Sequence, residues 1–186
     1  MADSLLDLTV RELLDAAAAR TPAPGGGGAA ALTTALAAAL AGMAARFGDD
    51  GSAAERADAL RAAVAPLADA DAAAYGGYLA ATRLRRDDPD RAGAISAARR
   101  ETIEVPARIT ELAGQVADLA ADLARSGNRN LHGDAAAAVH LAAAAATTAA
   151  ELIAANVTDD AGVAERDRAR EIGATARRLA EAAVRR

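Results

Sequence analysis

Four consecutive glycines, Gly25 to Gly28, follow the segment Thr21-Pro22-Ala23-Pro24 and lead directly into an alanine-rich stretch. Consecutive glycines let backbone N–H groups converge on a ligand, and a helix start adds partial positive charge. The segment therefore suits a carboxylate, a phosphate or a polarised carbonyl. It lacks the Gly-Lys-Ser/Thr of a P-loop, and no strand signal precedes it as in a dinucleotide-binding fold. The alternative interpretation is a turn at a close crossing of two helices.

A second polar group combines two carboxylates, Asp69 and Asp71, with the only two tyrosines of the chain, Tyr75 and Tyr78. Asp71 and Tyr75 are four residues apart, so they share one face of a helix. Three arginines follow, at Arg83, Arg85 and Arg86. The alternative interpretation is the solvated, charged end of an amphipathic helix.

A third polar group begins with Gly127-Asn128-Arg129-Asn130 and continues to His132 and Asp134. Asn and Asp are common at helix termini because their side chains cap free N–H groups, and the alternative interpretation of Asp134 is such a cap. His132 and His140 are the only histidines, eight residues apart, and no third metal ligand is evident. We therefore predict no zinc site.

The composition favours one small helical domain over residues 1–186. Alanine, the strongest helix former, is the commonest residue, aromatic residues make up 2%, and cysteine is absent. Alanine-rich helices bury little area at each contact, so we expect many close helix contacts and a homodimer. All 21 basic residues are arginine, and the net charge of −5 argues against nucleic-acid binding.

No secretory signal or membrane span is predicted. The N-terminus lacks a basic stretch followed by an apolar run. The apolar segment from Ala29 to Ala45 is short and dominated by alanine, so a buried helix is the better interpretation. The absence of cysteine fits a reducing compartment, and we expect a cytoplasmic protein.

Helix signals recur along the chain, whereas strand signals do not. Thr9 to Glu12 and Ser52 to Glu55 both have the form of a capping box. Pro66 and Pro106 are expected to kink or restart helices, and Gly127 to end one. The pattern predicts an all-α array or bundle of six or seven helices. The expected helices run from Val10 to about Arg20, from the glycines to Phe47, from Ser52 to about Arg83, from Asp88 to Ile103, from Pro106 to Arg125, from Asp134 to Asn156, and from about Asp160 onward.

Taken together and in this order, the polar segments resemble the cyclodeaminase/cyclohydrolase family, which includes the deaminase half of formiminotransferase-cyclodeaminase and freestanding methenyltetrahydrofolate cyclohydrolases. The first match resembles the Pro-Thr-Pro-Gly-Gly-Gly-Ser element of the family, and the second resembles its Asp-x-x-Ala-(Phe/Tyr) helix with an Arg-Leu-Pro-Lys ending. The matching segments are Thr21 to Met43, Asp69 to Tyr75, Arg83 to Arg86, Glu104 to Pro106, Gly127 to Asn130, Asp134, and Asn156 to Val157.

The resemblance implies an all-α, commonly dimeric protein that binds a tetrahydrofolate derivative and needs no metal or redox cofactor. One family reaction hydrolyses 5,10-methenyltetrahydrofolate to 10-formyltetrahydrofolate; the other closes 5-formiminotetrahydrofolate and releases ammonia. Of the two, we expect the hydrolysis. Asp71 and Asp134 are then the candidate catalytic carboxylates. The candidate substrate-binding residues are Pro24, Gly25, Gly26, Gly27, Gly28, Tyr75, Arg83, Arg86, Asn128 and Asn130, with the arginines holding the glutamate carboxylates.

The chain departs from the family pattern at several positions. The lysine of Arg-Leu-Pro-Lys is Arg86 here, the serine of the glycine element is Gly28, and the second Asn after Asn-Val is Asp160. Arginine stays protonated and cannot replace a lysine that acts as a base. A non-catalytic helical dimer that binds folate or a protein partner therefore remains the alternative.

Overall fold

In a computed structural model, which describes residues 4–158 and 162–183, the described chain is all helical, as predicted. The last predicted helix was expected to begin at about Asp160, which lies outside the described residues. Two short 3-10 turns, Leu5–Asp7 and Arg129–Leu131, accompany the helices. The α-helices are α1 Val10–Ala18, α2 Gly26–Phe47, α3 Gly51–Val64, α4 Leu67–Thr82, α5 Arg91–Ser126, α6 His132–Asn156 and α7 Val163–Ala183.

Helices α2, α5 and α6 form the centre of the bundle, with α3, α4 and α7 packed around them. The core consists mainly of alanine, with Val64, Ile109 and Ile153 among its few large, fully buried side chains. Small residues allow close approach. A Cβ placed on Gly42 of α2 would lie 3.3 Å from the Cβ of Ala57 in α3. The fold is therefore held by many close contacts between small side chains.

Several helix boundaries differ from the predictions. The capping box at Thr9 is confirmed, with the Thr9 and Glu12 side chains bonded to each other's backbone amides. The predicted box at Ser52 is wrong: Asp50 caps α3, and its Oδ1 accepts from Ala53 N at 2.9 Å. At Pro66 the expected kink is a complete break between α3 and α4. Similarly, α5 begins at Arg91 rather than at Asp88.

Pro106 does not break α5, a single helix of 36 residues that continues on both sides of the proline. A proline inside a helix has no N–H to donate to the carbonyl four residues earlier. That carbonyl belongs to Thr102, and it accepts instead from Nδ2 of Asn156 in α6, at 3.0 Å. The side chain of another helix thus replaces the missing backbone bond.

Two helices, α2 and the segment Arg129–Asn156, are long and apolar enough to cross a membrane by composition alone. Only 56% and 50% of their apolar windows are buried in the fold, and a core helix passes the same test. The helix predicted to be buried at Ala29 to Ala45 is therefore buried on one face and exposed on the other. On the exposed side of α2, Leu36 is 55% and Phe47 65% accessible.

The close α2–α3 crossing predicts the effect of enlarging Ala57, which is completely buried. Ala57→Leu should lower the free energy of unfolding by about 1–3 kcal/mol, because the packed crossing has no room for three more carbons. Ala63→Leu, on the exposed side of the same helix, is the matched control and should change it little. Urea unfolding followed by circular dichroism measures both; equal stability of the two variants would contradict a tight crossing.

Candidate functional site

A cavity of about 400 Å³ lies where the N-terminus of α2 meets α4, α5 and the end of α6. Its volume is within the usual range for a small-molecule site. The walls combine bare backbone, apolar side chains and a few polar groups. The lining residues are Thr21, Pro22, Ala23, Gly25, Gly26, Gly27, Asp71, Tyr75, Thr102, Pro106, Leu152 and Asn156.

The carboxylate of Asp71 lies directly against the first turn of α2. Its Oδ2 accepts from the backbone N–H of Gly28 at 3.1 Å. A Cβ on Gly27 would lie only 2.0 Å from Asp71 Oδ1 and 2.3 Å from its Cγ. Because real Cβ atoms never approach so closely, the carboxylate can occupy this place only beside a glycine. The glycine run thus makes room for a side chain from α4.

Burial raises the pKa of Asp71, because the charged carboxylate loses water around it. The hydrogen bond from Gly28 lowers the same pKa and offsets part of this effect. The net direction is upward, toward neutral pH, and an acid–base group benefits from a pKa near the working pH. Asp71 is thus a carboxylate in a cavity with a perturbed pKa, which is a recognised mark of a functional site.

The first amides of α2 provide hydrogen-bond donors in the same cavity. Gly28 N–H bonds Asp71, whereas the N–H groups of Gly26 and Gly27 find no acceptor in the described part of the chain. Both glycines line the cavity. Free N–H groups at a helix N-terminus favour a carbonyl oxygen or an anion. The cavity thus contains one carboxylate and, beside it, a pair of donors.

Asn156 is held in a defined orientation on the opposite wall. Its Nδ2 donates to the Thr102 carbonyl that Pro106 leaves without a helical partner. Because the amide nitrogen is engaged there, its Oδ1 is the group that remains to accept from a ligand. Thr102 itself is anchored, with its hydroxyl donating to Arg99 O at 2.8 Å.

Asp69, two residues before Asp71, has a structural role. Its Oδ2 accepts from the Ser4 hydroxyl at 2.5 Å and its Oδ1 from Leu5 N at 2.8 Å. The Leu5 side chain packs against the core near Gly28. Asp69 therefore fastens the segment before α1 to the start of α4, behind the cavity wall.

The structure brings together only some of the predicted site residues. Gly25, Gly26, Gly27, Asp71 and Tyr75 line the cavity, and Tyr75 is 42% exposed. Two more support its wall: Gly28 bonds Asp71, and a Cβ on Gly28 would lie 3.7 Å from Pro24 Cβ. Pro24 follows a cis peptide bond from Ala23.

Asp134, which the resemblance suggested as a second catalytic carboxylate, does not share the cavity with Asp71 within one chain. It lies in the first turn of α6, whose last residue, Asn156, lines the cavity. Asp134 and Asn156 are 22 positions apart, which is about 33 Å along the helix. Asn128 and Asn130 lie at the same far end, where Asn128 Nδ2 donates to Phe47 O at 2.7 Å and its Oδ1 accepts from Asn130 N.

Arg83 and Arg86 are exposed and lie beyond the last turn of α4, outside the cavity lining. Arg83 follows Tyr75 by eight residues, about 12 Å farther along the helix. Within the described residues, no cluster of three or more His, Asp or Glu side chains is arranged to hold a metal ion.

Sequence reasoning did not identify Thr102, Pro106, Leu152 or Asn156 as ligand-facing residues. The available signal was Pro106 inside a long helical pattern. A mid-helix proline leaves the carbonyl of residue 102 without a donor, and a buried carbonyl needs one. Which side chain supplies the donor depends on tertiary packing.

A family model and a solved structure are both similar to this chain. The sequence matches the family model described as Formiminotransferase-cyclodeaminase over residues 9–178. The fold is similar to the crystal structure of formiminotetrahydrofolate cyclodeaminase from Thermotoga maritima, with a TM-score of 0.85 and 22% identity over 97% of this chain and 98% of that chain. At that identity the likeness shows the fold alone. No curated protein matches the sequence significantly.

The contact between Asp71 and the glycines predicts opposite effects of alanine at two neighbouring positions. Gly27→Ala should lower the free energy of unfolding by about 1–3 kcal/mol, because the methyl group displaces the carboxylate from Gly28 N–H. Gly26→Ala is the matched control: its Cβ would meet only Leu152 methyl groups, at 3.6 Å, so stability should be kept or rise. Urea unfolding at pH 7 measures both. Equal values would show that Asp71 does not need the bare backbone of Gly27.

Proposed function

This chain belongs to the formiminotransferase-cyclodeaminase family, and we propose that it acts on the one-carbon unit that tetrahydrofolate carries at N5 and N10. The observation that supports this most is Asp71, a desolvated carboxylate beside free amide donors in a cavity of about 400 Å³. Such a cavity suits a flat heterocycle with a reacting carbon at its edge.

Two reactions at this carbon fit the site. In the first, N10 of 5-formiminotetrahydrofolate attacks the carbon of the protonated formimino group and loses its own proton to the terminal nitrogen. The C–N bond to that nitrogen then breaks, so that ammonia leaves and the 5,10-methenyl cation remains. In the second, water adds to the carbon of 5,10-methenyltetrahydrofolate and the C–N5 bond breaks to give 10-formyltetrahydrofolate. Both pass through a tetrahedral carbon. We place the ammonia-releasing reaction first, because the family and the similar fold carry that name; the hydrolysis that the sequence favoured is the second candidate.

Asp71 is the proton-transferring group in this proposal. In the ring closure it takes the proton from N10 and passes it to the departing ammonia. In the hydrolysis it takes one proton of the attacking water and returns it to N5, while the remaining hydroxyl proton is released to solvent as the formyl C=O forms. The same carboxylate stabilises the cationic methenyl bridge by its charge. Among the described lining residues, it is the only ionisable side chain apart from Tyr75.

The donors and the acceptor around Asp71 would orient the heterocycle. The N–H groups of Gly26 and Gly27 repel the cationic carbon and attract a carbonyl oxygen, so they are assigned to the pterin carbonyl. Asn156 Oδ1 is assigned to a ring N–H or amino group. Together they fix which edge of the ring faces Asp71, and holding reactants in one orientation lowers the barrier.

The absence of lysine does not leave the site without an acid–base group. Arginine remains charged and cannot take up a proton at neutral pH. The structure offers a carboxyl group whose pKa is raised by burial instead. The alternative, a folate-binding protein without turnover, differs in one measurable respect: it would bind the methenyl compound and leave its absorbance unchanged.

Removing the charge of Asp71 should abolish turnover without harming the fold. Asp71→Asn should reduce the rate at least ten-fold, as expected for loss of a proton-transferring group, in assays of ammonia release and of methenyl absorbance. Asp134→Asn is the matched comparison at the far end of α6 and should keep the rate. An unchanged rate in Asp71→Asn would remove Asp71 from the mechanism.

The stability of the same variant provides the control for folding. A carboxyl with a raised pKa stabilises the fold in its protonated form, and this contribution is lost as the pH rises through the folded-state pKa. The ionised Asp71 therefore costs stability at pH 7, a cost that asparagine avoids while its Oδ1 still accepts from Gly28 N–H. Asp71→Asn should be at least as stable as the parent at pH 7.

We further propose that the protein is a homodimer through the outer faces of α2 and α6. Along α2, the apolar residues Leu32, Leu36, Leu40, Met43 and Phe47 repeat every three or four positions, and Leu36 and Phe47 are exposed. Two paired helices about 33 Å long offer a face of roughly 700 Å². This approaches the area of about 800 Å² that each partner buries in a stable interface.

Cytoplasmic location also remains a prediction.

A charge on this face should separate the subunits. Leu36→Glu should give a monomer at micromolar concentration, because a dimer would bury an unpaired carboxylate. Leu14→Glu, at an equally exposed leucine on α1, is the matched control and should leave the mass unchanged. Sedimentation velocity measures both. A monomeric parent protein, or a Leu36→Glu variant that stays dimeric, would contradict the proposed interface.

A further inference from the structure

Arg99 in α5 is held in place by two groups from other segments. Its guanidinium lies over the ring of Tyr78 in α4, 5.9 Å from the ring centroid, within the range of a cation–π interaction. One of its terminal nitrogens, Nη1, donates to the Thr158 hydroxyl at 2.8 Å. The side chain therefore bridges α4 and the segment after α6.

These three residues form the layer directly outside the cavity. Tyr78 follows the cavity residue Tyr75 by three positions on one face of α4. Arg99 precedes the cavity residue Thr102 by three positions in the antiparallel α5, and Thr158 follows Asn156 by two. Three lining residues of the cavity thus each have a neighbour, two or three positions away, in this cluster, so Arg99 lies next to the cavity.

The charge of Arg99 is not neutralised by the described residues. The ion pairs of the described chain involve seven other arginines, and Arg99 takes part in none of them. Its side chain is nevertheless partly buried, unlike that of the neighbouring Arg100, which is exposed. A guanidinium has five N–H donors, and Thr158 uses one. A positioned arginine with unused donors suits a carboxylate, which it can bind through two parallel bonds.

We propose that Arg99 binds the glutamate carboxylate of the substrate tail at the mouth of the cavity, an inference that rests on the proposed folate substrate. The distance fits the chemistry: from Asp71 to Tyr78 is seven residues of α4, about 10 Å, which leaves space for one aromatic ring between the pterin and the glutamate. In this arrangement the aromatic ring between the pterin and the glutamate lies beside Tyr75. Arg99 thereby selects folates with a negatively charged tail over the same heterocycle without one.

This assignment differs from the sequence prediction that Arg83 and Arg86 hold the tail. Both are exposed and follow the last residue of α4, Thr82, beyond Tyr78. Neither has an aromatic ring or a hydroxyl that orients it. They are in position only for later residues of a longer tail.

The test compares Arg99→Gln with Arg100→Gln, which removes the same charge one residue away. Two substrates are used, the monoglutamyl compound and its pteroate counterpart without glutamate. For Arg99→Gln, the KM for the glutamyl substrate should rise about ten-fold with kcat within two-fold, because a charge-assisted pair to substrate is lost. The KM for the pteroate substrate should not change, and Arg100→Gln should resemble the parent with both substrates.

Equilibrium binding of the two compounds provides the same comparison without turnover. Equal effects of Arg99→Gln and Arg100→Gln would overturn the assignment, as would a loss that is the same with and without the glutamate. A parent protein that binds and converts both compounds equally well would also overturn it while leaving the proposed reaction intact. A parent that binds neither compound would overturn the proposed function together with this inference.

Discussion

The site depends on one close contact, that between the carboxylate of Asp71 and the unsubstituted backbone at the start of α2. Any side chain at residue 27 would occupy the space of the carboxylate. The same contact supplies the only described hydrogen bond to Asp71, from Gly28 N–H. Two residues earlier on α4, Asp69 accepts hydrogen bonds from Ser4 and Leu5 and so anchors the segment before α1 to α4. The glycine run therefore has two roles: its backbone N–H groups donate hydrogen bonds, and its lack of side chains leaves room for the Asp71 carboxylate.

The cavity wall formed by α5 and the end of α6 depends on an exchange of hydrogen-bond partners around Pro106. Proline removes one backbone bond from the middle of α5, a change that ordinarily costs a helix about 3 kcal/mol. Asn156 supplies the missing donor to Thr102 and thereby ties the last residue of α6 to the middle of α5. The defect in α5 is thus placed where it orients a polar side chain in the cavity. A helix-breaking residue contributes here to order rather than to flexibility.

The local features were predictable and the long-range pairings were not. Helical class and the cap at Thr9 follow from patterns within short segments. The placing of the glycines, Asp71 and Tyr75 in one site came from the family resemblance and not from their spacing. Asp134 was misplaced because α6 is one uninterrupted helix, so its two ends cannot serve one cavity in the same chain. Thr102, Asn156 and Arg99 were missed because their significance lies in a partner 20 or more residues away. No local pattern specifies such partners.

The charges of the site have an order that matches the proposed substrate. Asp71, the one carboxylate among the described lining residues, lies where the proposed reaction forms a cationic carbon, and the amide donors beside it are assigned to a carbonyl oxygen. The positioned cation, Arg99, lies one layer outward, where the tail is anionic. A reversed substrate would place its anionic tail against Asp71, and two like charges in a low-dielectric cavity repel strongly. The arrangement thus favours one orientation of the proposed substrate, with its reacting carbon beside the half-buried carboxylate of Asp71.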